Sequence, residues 1–148
     1  MSNVSSLPVQ TQQSGSGSVR ERVTPEEWEV RVKLAAAYRL AAQKRWTDHI
    51  YTHFSARVPG KEEHFLINAF GLLFDEISAS NLVKVDIDGT IVDDPTGLGI
   101  NYAGYVIHSA IHAARHDLVA VLHTHTRDGI AVSAQKGELG IIPGSMGA

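Results

Sequence analysis

The sequence has no cysteine among its 148 residues, which excludes disulfide bonds and takes thiolate off the list of possible nucleophiles and metal ligands. A cysteine-free chain fits a cytoplasmic location. There is no excess of basic residues: the formal net charge is -3, and nothing in the charge pattern calls for nucleic acid or an anionic membrane as partner. No apolar run is long enough to span a bilayer. Met1 to Ser18 lacks both the charged start and the apolar stretch of a signal peptide, and the first charge is Arg20.

What remains is a chain with 43% hydrophobic residues, which suits one α/β domain with a modest core. Residues 1–23 are rich in Ser, Gln and Gly. They carry too little apolar surface to offset the entropy of ordering, and are expected to form a disordered tail. The folded domain is expected to occupy residues 24–148.

Thr24-Pro25-Glu26-Glu27 reads as a helix start, with Thr at the cap, Pro at the first helical position and Glu three residues after the cap. Val30, Leu34, Ala37 and Ala41 continue it at helical spacing towards Arg45. Short strands follow at His53 to Val58 and His64 to Ile67, divided by Pro59-Gly60. Asn68 to Gly71 reads as a loop, and Ser78 to Asn81 as a turn or short helix. A strand over Leu82 to Ile87 meets Thr90 to Val92 across Asp88-Gly89, a hairpin signal. Asp86, Asp88 and Gly89 also resemble part of a calcium loop, but the other ligand positions are missing and the hairpin is the better reading.

Tyr105 to His116 has helical periodicity through Val106, Ala110, Ala113 and Ala114. Leu118 to Leu122 is apolar on both faces, as expected of a central strand in a covered sheet. A helix from Asp128 to about Gln135 and a short strand over Leu139 to Ile142 complete the pattern. No element follows Gly144-Ser145-Met146-Gly147-Ala148 to close the layer, so the domain is expected to be incomplete at its C-terminal side.

The chemistry lies at the end of the apolar strand, in His123-Thr124-His125. Residues i and i+2 of a strand share a face, so the two imidazoles sit roughly 6.6 Å apart along the backbone and can tilt towards one divalent ion. A metal there would polarise a carbonyl and stabilise an enediolate. Two ligands do not complete a zinc site, which takes three protein donors and an open position when catalytic. His108, His112 and His116 repeat at i, i+4 along the preceding helix. His112 and His116 read as histidines on a partly exposed face, while His108 could approach the metal strand. His49, His53 and His64 stand isolated and read as structural. There is no Gly-x-Ser-x-Gly elbow and no standard phosphate loop.

Several longer stretches resemble the adducin-like branch of the class II aldolase/adducin family. They are His53 to Arg57, His64 to Asn68, Phe70 to Ile77, Leu82 to Gly89, His108 to Arg115 and Val121 to His125. The resemblance implies a three-layer α/β/α fold around a central mixed sheet, assembled as a homotetramer with sites between subunits. It implies a divalent metal, zinc, held by the positions matching His123 and His125, with a third histidine from later in such chains. It also implies a substrate-binding role for His53, Ser55, Asn68 and Gly71 on the phosphate side. The family's aldolases carry a Glu at the position of Gly104, and glycine transfers no proton; His108 is the remaining candidate for that work.

Two functions follow as expectations. One is a metal-dependent lyase acting on a small hydroxy-carbonyl or sugar-phosphate substrate. The other is a non-catalytic, adducin-like module for self-association or binding a cytoskeletal-type protein.

Overall fold

In the computed structural model, which describes residues 17–60 and 63–135, the first long helix begins where Thr24 caps it. The Thr24 hydroxyl accepts the Glu27 backbone N–H at 3.1 Å, Pro25 opens the helix, and α2 runs Pro25–Gln43. Order starts before this. Val19–Arg22 form a single-turn helix, α1, with Val19 buried, and Arg22 Nη1 meets Asp93 Oδ1 at 2.7 Å. The end of the segment expected to be a disordered tail is therefore folded, because an apolar side chain and an ion pair anchor it.

Five strands follow the expected apolar runs closely: β1 His53–Arg57, β2 His64–Asn68, β3 Leu82–Asp86, β4 Ile91–Asp93 and β5 Ala120–His123. A 3₁₀ turn covers Phe74–Glu76. The Asp86 carboxylate accepts the backbone N–H groups of Asp88 and Thr90 at 3.0 and 2.8 Å, and Gly89 takes φ +95°. These are the marks of a tight hairpin, and they engage one oxygen of the carboxylate that the calcium-loop alternative needed.

The strand order is β4-β3-β2-β1-β5, and all four pairings among the described residues are antiparallel. The sheet was expected to be mixed. The β1–β2 and β3–β4 links are too short for parallel crossovers, and the longer β2–β3 link holds a 3₁₀ turn rather than a crossover helix, so each strand reverses on the last. β5, arriving after α3 (Tyr102–Ala114), also pairs antiparallel with β1. Nor is β5 central: among the described residues it is an edge strand, with Leu122 exposed by 58%. Its two-sided apolar character had suggested a covered position. A last helix, α4, spans Arg127–Ser133 with Thr126 as its cap. The strand expected over 139–142 lies outside the described residues.

The pleat of β1 sorts its side chains between two different interiors. Phe54 and Ala56 face α2 and join Leu34, Tyr38, Ala41, Leu66, Phe74, Ile77 and Leu82 in an apolar cluster. Tyr38 is the centre of it, stacked on Phe54 and edge-on to Phe74 at centroid distances of 5.0 and 4.6 Å. Its hydroxyl lies between the Phe54 carbonyl, the Asn68 side-chain oxygen and two backbone N–H groups. Phe65, Ile67, Val83, Val85, Ile91 and Tyr105 of α3 form a second cluster, on the face that also carries His53 and Ser55.

At the β3–β4 edge, α2 adds buried charge. Arg31 is fully buried, bonded to Glu27 at 2.9 Å and to the Leu82 carbonyl at 2.9 Å, with Asp93 at 3.5 Å. Lys84 meets the second Glu27 oxygen at 2.9 Å. Burial is tolerable because each charge has a partner.

Candidate functional site

Helix α3 starts one turn earlier than its apolar periodicity suggests, because Asn101 caps it. The Asn101 side chain accepts the N–H groups of Ala103 and Gly104 at 3.1 and 3.4 Å. Arg57 holds the other end, donating to the His112 carbonyl at 2.6 Å, a favourable place for a cation. So held, α3 turns Gly104, Tyr105, His108, Ser109 and His112 inward. Both His108 and His112 have no exposed surface. His112 was expected on a partly exposed face; its ring instead tilts against Phe65 at a centroid distance of 4.9 Å. His116 is exposed as expected and meets Glu63 at 2.8 Å.

Strand pairing brings the other histidines together. The register sets His53 opposite His123, and Asn68, at the matching end of β2, is set by the pairing of Ser55 with Ile67. The result is a continuous file of polar side chains. His125 Nδ1 lies 2.8 Å from Asp48 Oδ2, and His125 Nε2 lies 3.1 Å from His123 Nε2. His123 Nδ1 lies 3.4 Å from His53 Nδ1, which is 3.1 Å from His108 Nε2. Ser55 Oγ bridges His108 Nδ1 at 2.6 Å and His112 Nε2 at 2.9 Å. His112 Nδ1 has no hydrogen-bond partner.

Burial decides the charge state of the inner rings. Desolvation, with neighbouring histidines adding to it, pushes His108 down to about 3 and His53 down to about 4. His112 falls to about 4 through burial first and the Arg57 charge second. His123 is lowered by burial, then by His125. Asp48 is held below the usual carboxylate range by hydrogen bonds from His125 and His49.

An ionised Asp48 can only accept, so neutral His125 carries its proton on Nδ1 and turns a bare Nε2 towards His123. Two imidazole nitrogens each about 2.0–2.1 Å from one ion would stand roughly 3.3–3.4 Å apart in tetrahedral geometry. The observed 3.1 Å is slightly closer than that, and Asp48 occupies the place of a carboxylate that orients a metal-binding histidine. Among the described residues, however, no group of three or more His, Asp or Glu side chains is arranged to hold a metal ion.

The family pattern described as Class II Aldolase and Adducin N-terminal domain matches residues 32–147. The chain belongs to the class II aldolase and adducin family. An aldolase II superfamily protein from Pseudomonas syringae is 93% identical, with a TM-score of 0.79 over 81% of this chain and 48% of that one. An L-fuculose 1-phosphate aldolase from Glaciozyma antarctica is 32% identical, with a TM-score of 0.70 over 82% of this chain and 48% of that one. Alpha-adducin of Rattus norvegicus is 52% identical over 115 residues, which are 77% of this chain and 15% of the adducin. The chain spans about half the length of the first curated relatives it matches, 46% and 51% of theirs.

The residues singled out by family resemblance are thus placed as follows. His123 and His125 are half-buried neighbours, their rings edge-on at a centroid distance of 4.8 Å. His53 lies behind His123, and Ser55 is fully buried between two histidines. Asn68 is buried with its side chain on the Tyr38 hydroxyl, whereas Gly71 is exposed at φ +85°. His108 has both ring nitrogens engaged. Gly104 packs against His53: a Cβ there would stand 2.6 Å from His53 Cδ2 and 2.7 Å from His53 Nε2. Sequence reading missed Asp48 as a partner of His125. No local signal marks it, since the two residues meet only through the sheet.

Proposed function

We propose that the chain is the N-terminal part of a metal-dependent lyase that acts on a small hydroxy-carbonyl or sugar-phosphate substrate. His123 and His125 hold a divalent ion, zinc, through their Nε2 atoms. The observation that carries this is the 3.1 Å approach of those atoms while both Nδ1 atoms are engaged elsewhere. A third donor comes from outside the described residues. The name of the Glaciozyma antarctica relative supports the substrate class.

When bound, the ion supplies Lewis acidity for a carbonyl and for developing enediolate charge. The chain's own residues do the rest. Asp48 fixes the His125 ring and its tautomer, and the buried file behind His123 excludes water from that side. The exposed backbone at Gly71 is the place on the phosphate side that a substrate can reach; Asn68 shapes that loop from beneath, and His53 and Ser55 support the site from within. His108 is buried with both nitrogens committed, so proton transfer to substrate falls to another group. The complete domain is read as three layers and as a homotetramer, in the cytoplasm.

Gly104 favours a second reading. The position has no carboxylate, and identity to rat alpha-adducin, at 52%, exceeds the 32% to the fuculose-phosphate aldolase. On that reading the chain is a non-catalytic module for self-association or protein binding.

Metal content separates the two. The full chain, exchanged into metal-free buffer and then reloaded, is assayed for zinc, manganese and iron per subunit beside a His123→Ala/His125→Ala variant. Near-stoichiometric metal that is lost in the variant supports the lyase reading. Metal absent from both proteins removes the reading that this chain holds the ion unaided, and leaves the binding module or a site completed by a donor from elsewhere.

A further inference from the structure

Glycine at position 104 is the consequence of a ring. His53 projects from β1 towards α3 and is only 3% exposed. A Cβ at residue 104 would enter the ring at three atoms, Cδ2, Nε2 and Cγ, at 2.6, 2.7 and 2.9 Å. An imidazole edge wedged between a strand and a helix is rigid, so any side chain at 104 must displace it. Gly104 and His53 therefore act as one unit: the space given up by the helix is filled from the sheet.

His53 uses that space to reach two neighbours through a single nitrogen. His53 Nδ1 stands 3.1 Å from His108 Nε2 and 3.4 Å from His123 Nδ1. If it holds a lone pair, both neighbours can donate to it, and His123 is left with a bare Nε2 facing His125. Behind it, Ser55 can donate to His108 Nδ1 and accept from His112 Nε2. Each contact from His112 to His123 then has one donor and one acceptor with its rings neutral, and the bare Nε2 atoms of His123 and His125 face each other with no proton between them.

We propose that His53 is a positioning residue for His123. Seated over Gly104 and braced by His108, Ser55 and His112, it fixes the rotation and tautomer of the His123 ring. The inference rests on the metal reading above only for its consequence on affinity. The orientation of His123 by His53 stands without a metal.

The test uses the full chain as wild type, Gly104→Ala, His53→Ala, the double variant, and His53→Asn as the conservative change. Zn²⁺ and Co²⁺ affinities come from competition titration, and folding is checked by far-ultraviolet circular dichroism. Partners of metal-binding histidines are commonly worth about 10- to 100-fold in affinity. Gly104→Ala and His53→Ala are each expected to weaken binding by about that factor, although alanine ordinarily favours a helix. The double variant should bind no more weakly than His53→Ala alone, because the alanine acts by moving a ring that is no longer there. His53→Asn should recover part of the loss, since its amide oxygen can accept the His123 proton.

Folded Gly104→Ala with wild-type affinity, or two losses that simply multiply, overturns the proposal. A second readout needs no metal: imidazole ¹⁵N shifts in metal-free protein should show His123 as one tautomer in the wild type and as a mixture in Gly104→Ala and His53→Ala. If the wild type binds neither ion, the metal reading falls and these spectra decide the positioning role. An unchanged His123 tautomer in the variants overturns it.

Discussion

The two sides of β1 solve the burial problem in opposite ways. Towards α2, Phe54 and Ala56 meet Tyr38, Phe74 and Leu34 in hydrocarbon and aromatic contact. Towards α3, His53 and Ser55 meet His108, His112 and His123 in a file of hydrogen bonds. One strand, with side chains alternating by a single residue, serves both. The apolar side gains stability from non-directional contact, which tolerates many partners. The histidine side gains little net stability per bond, yet each unmade bond leaves a buried polar atom to desolvate. It is the side built for orientation, and it leads to the candidate metal pair.

The comparison breaks most visibly on the apolar side. Phe54→Ala removes a ring that is 1% exposed from between Tyr38 and Phe74. The expected loss is about 3–5 kcal/mol by denaturant unfolding. An effect below about 1 kcal/mol would mean that α2 is not packed on the sheet as described.

Acid should act on the other side. His108 and His112 have folded values of about 3 and about 4, below the ordinary 6.5. Between those values and pH 6.5 the unfolded chain takes up protons that the folded chain refuses. Stability is therefore full above about pH 6.5 and falls as pH drops towards 4. A loss on the order of 5 kcal/mol by pH 4.5 is expected from these two rings, read from unfolding curves across that range. A flat profile would show these rings charged, or exposed, in the folded chain.

Ser55→Ala sharpens the contrast at smaller cost. It deletes almost no volume but leaves His108 Nδ1 and His112 Nε2 unmatched in a fully buried place. The expected cost is about 1–3 kcal/mol, read as a drop in melting temperature. A neutral outcome would mean that the two rings find other partners.

Much of the fold was legible because its signals are local. Thr24 with Pro25 sets the start of α2, Asp88-Gly89 makes the hairpin, and the apolar runs mark all five strands. Most of the misses share one cause, contacts made by residues far apart in the chain. Arg22 is anchored by Asp93, far along the chain, and Val19 is buried. Asn101 was a readable cap that apolar periodicity overlooked. His112, placed on an exposed face from the sequence, is buried because α3 turns the His108–His112 stripe towards β1 and Phe65. β5 carries apolar residues on both faces but stands at an edge of the described sheet.

The sequence by itself determined the family, most of the elements and the facing of His123 and His125, since strand periodicity and motif order need only neighbouring residues. The tertiary structure alone decided what stands behind that pair. Asp48 reaches His125 across the fold, and His53 fills the room left by Gly104. Contacts between residues some 50 to 77 positions apart depend on how a helix and two strands pack, and no spacing along the chain records them.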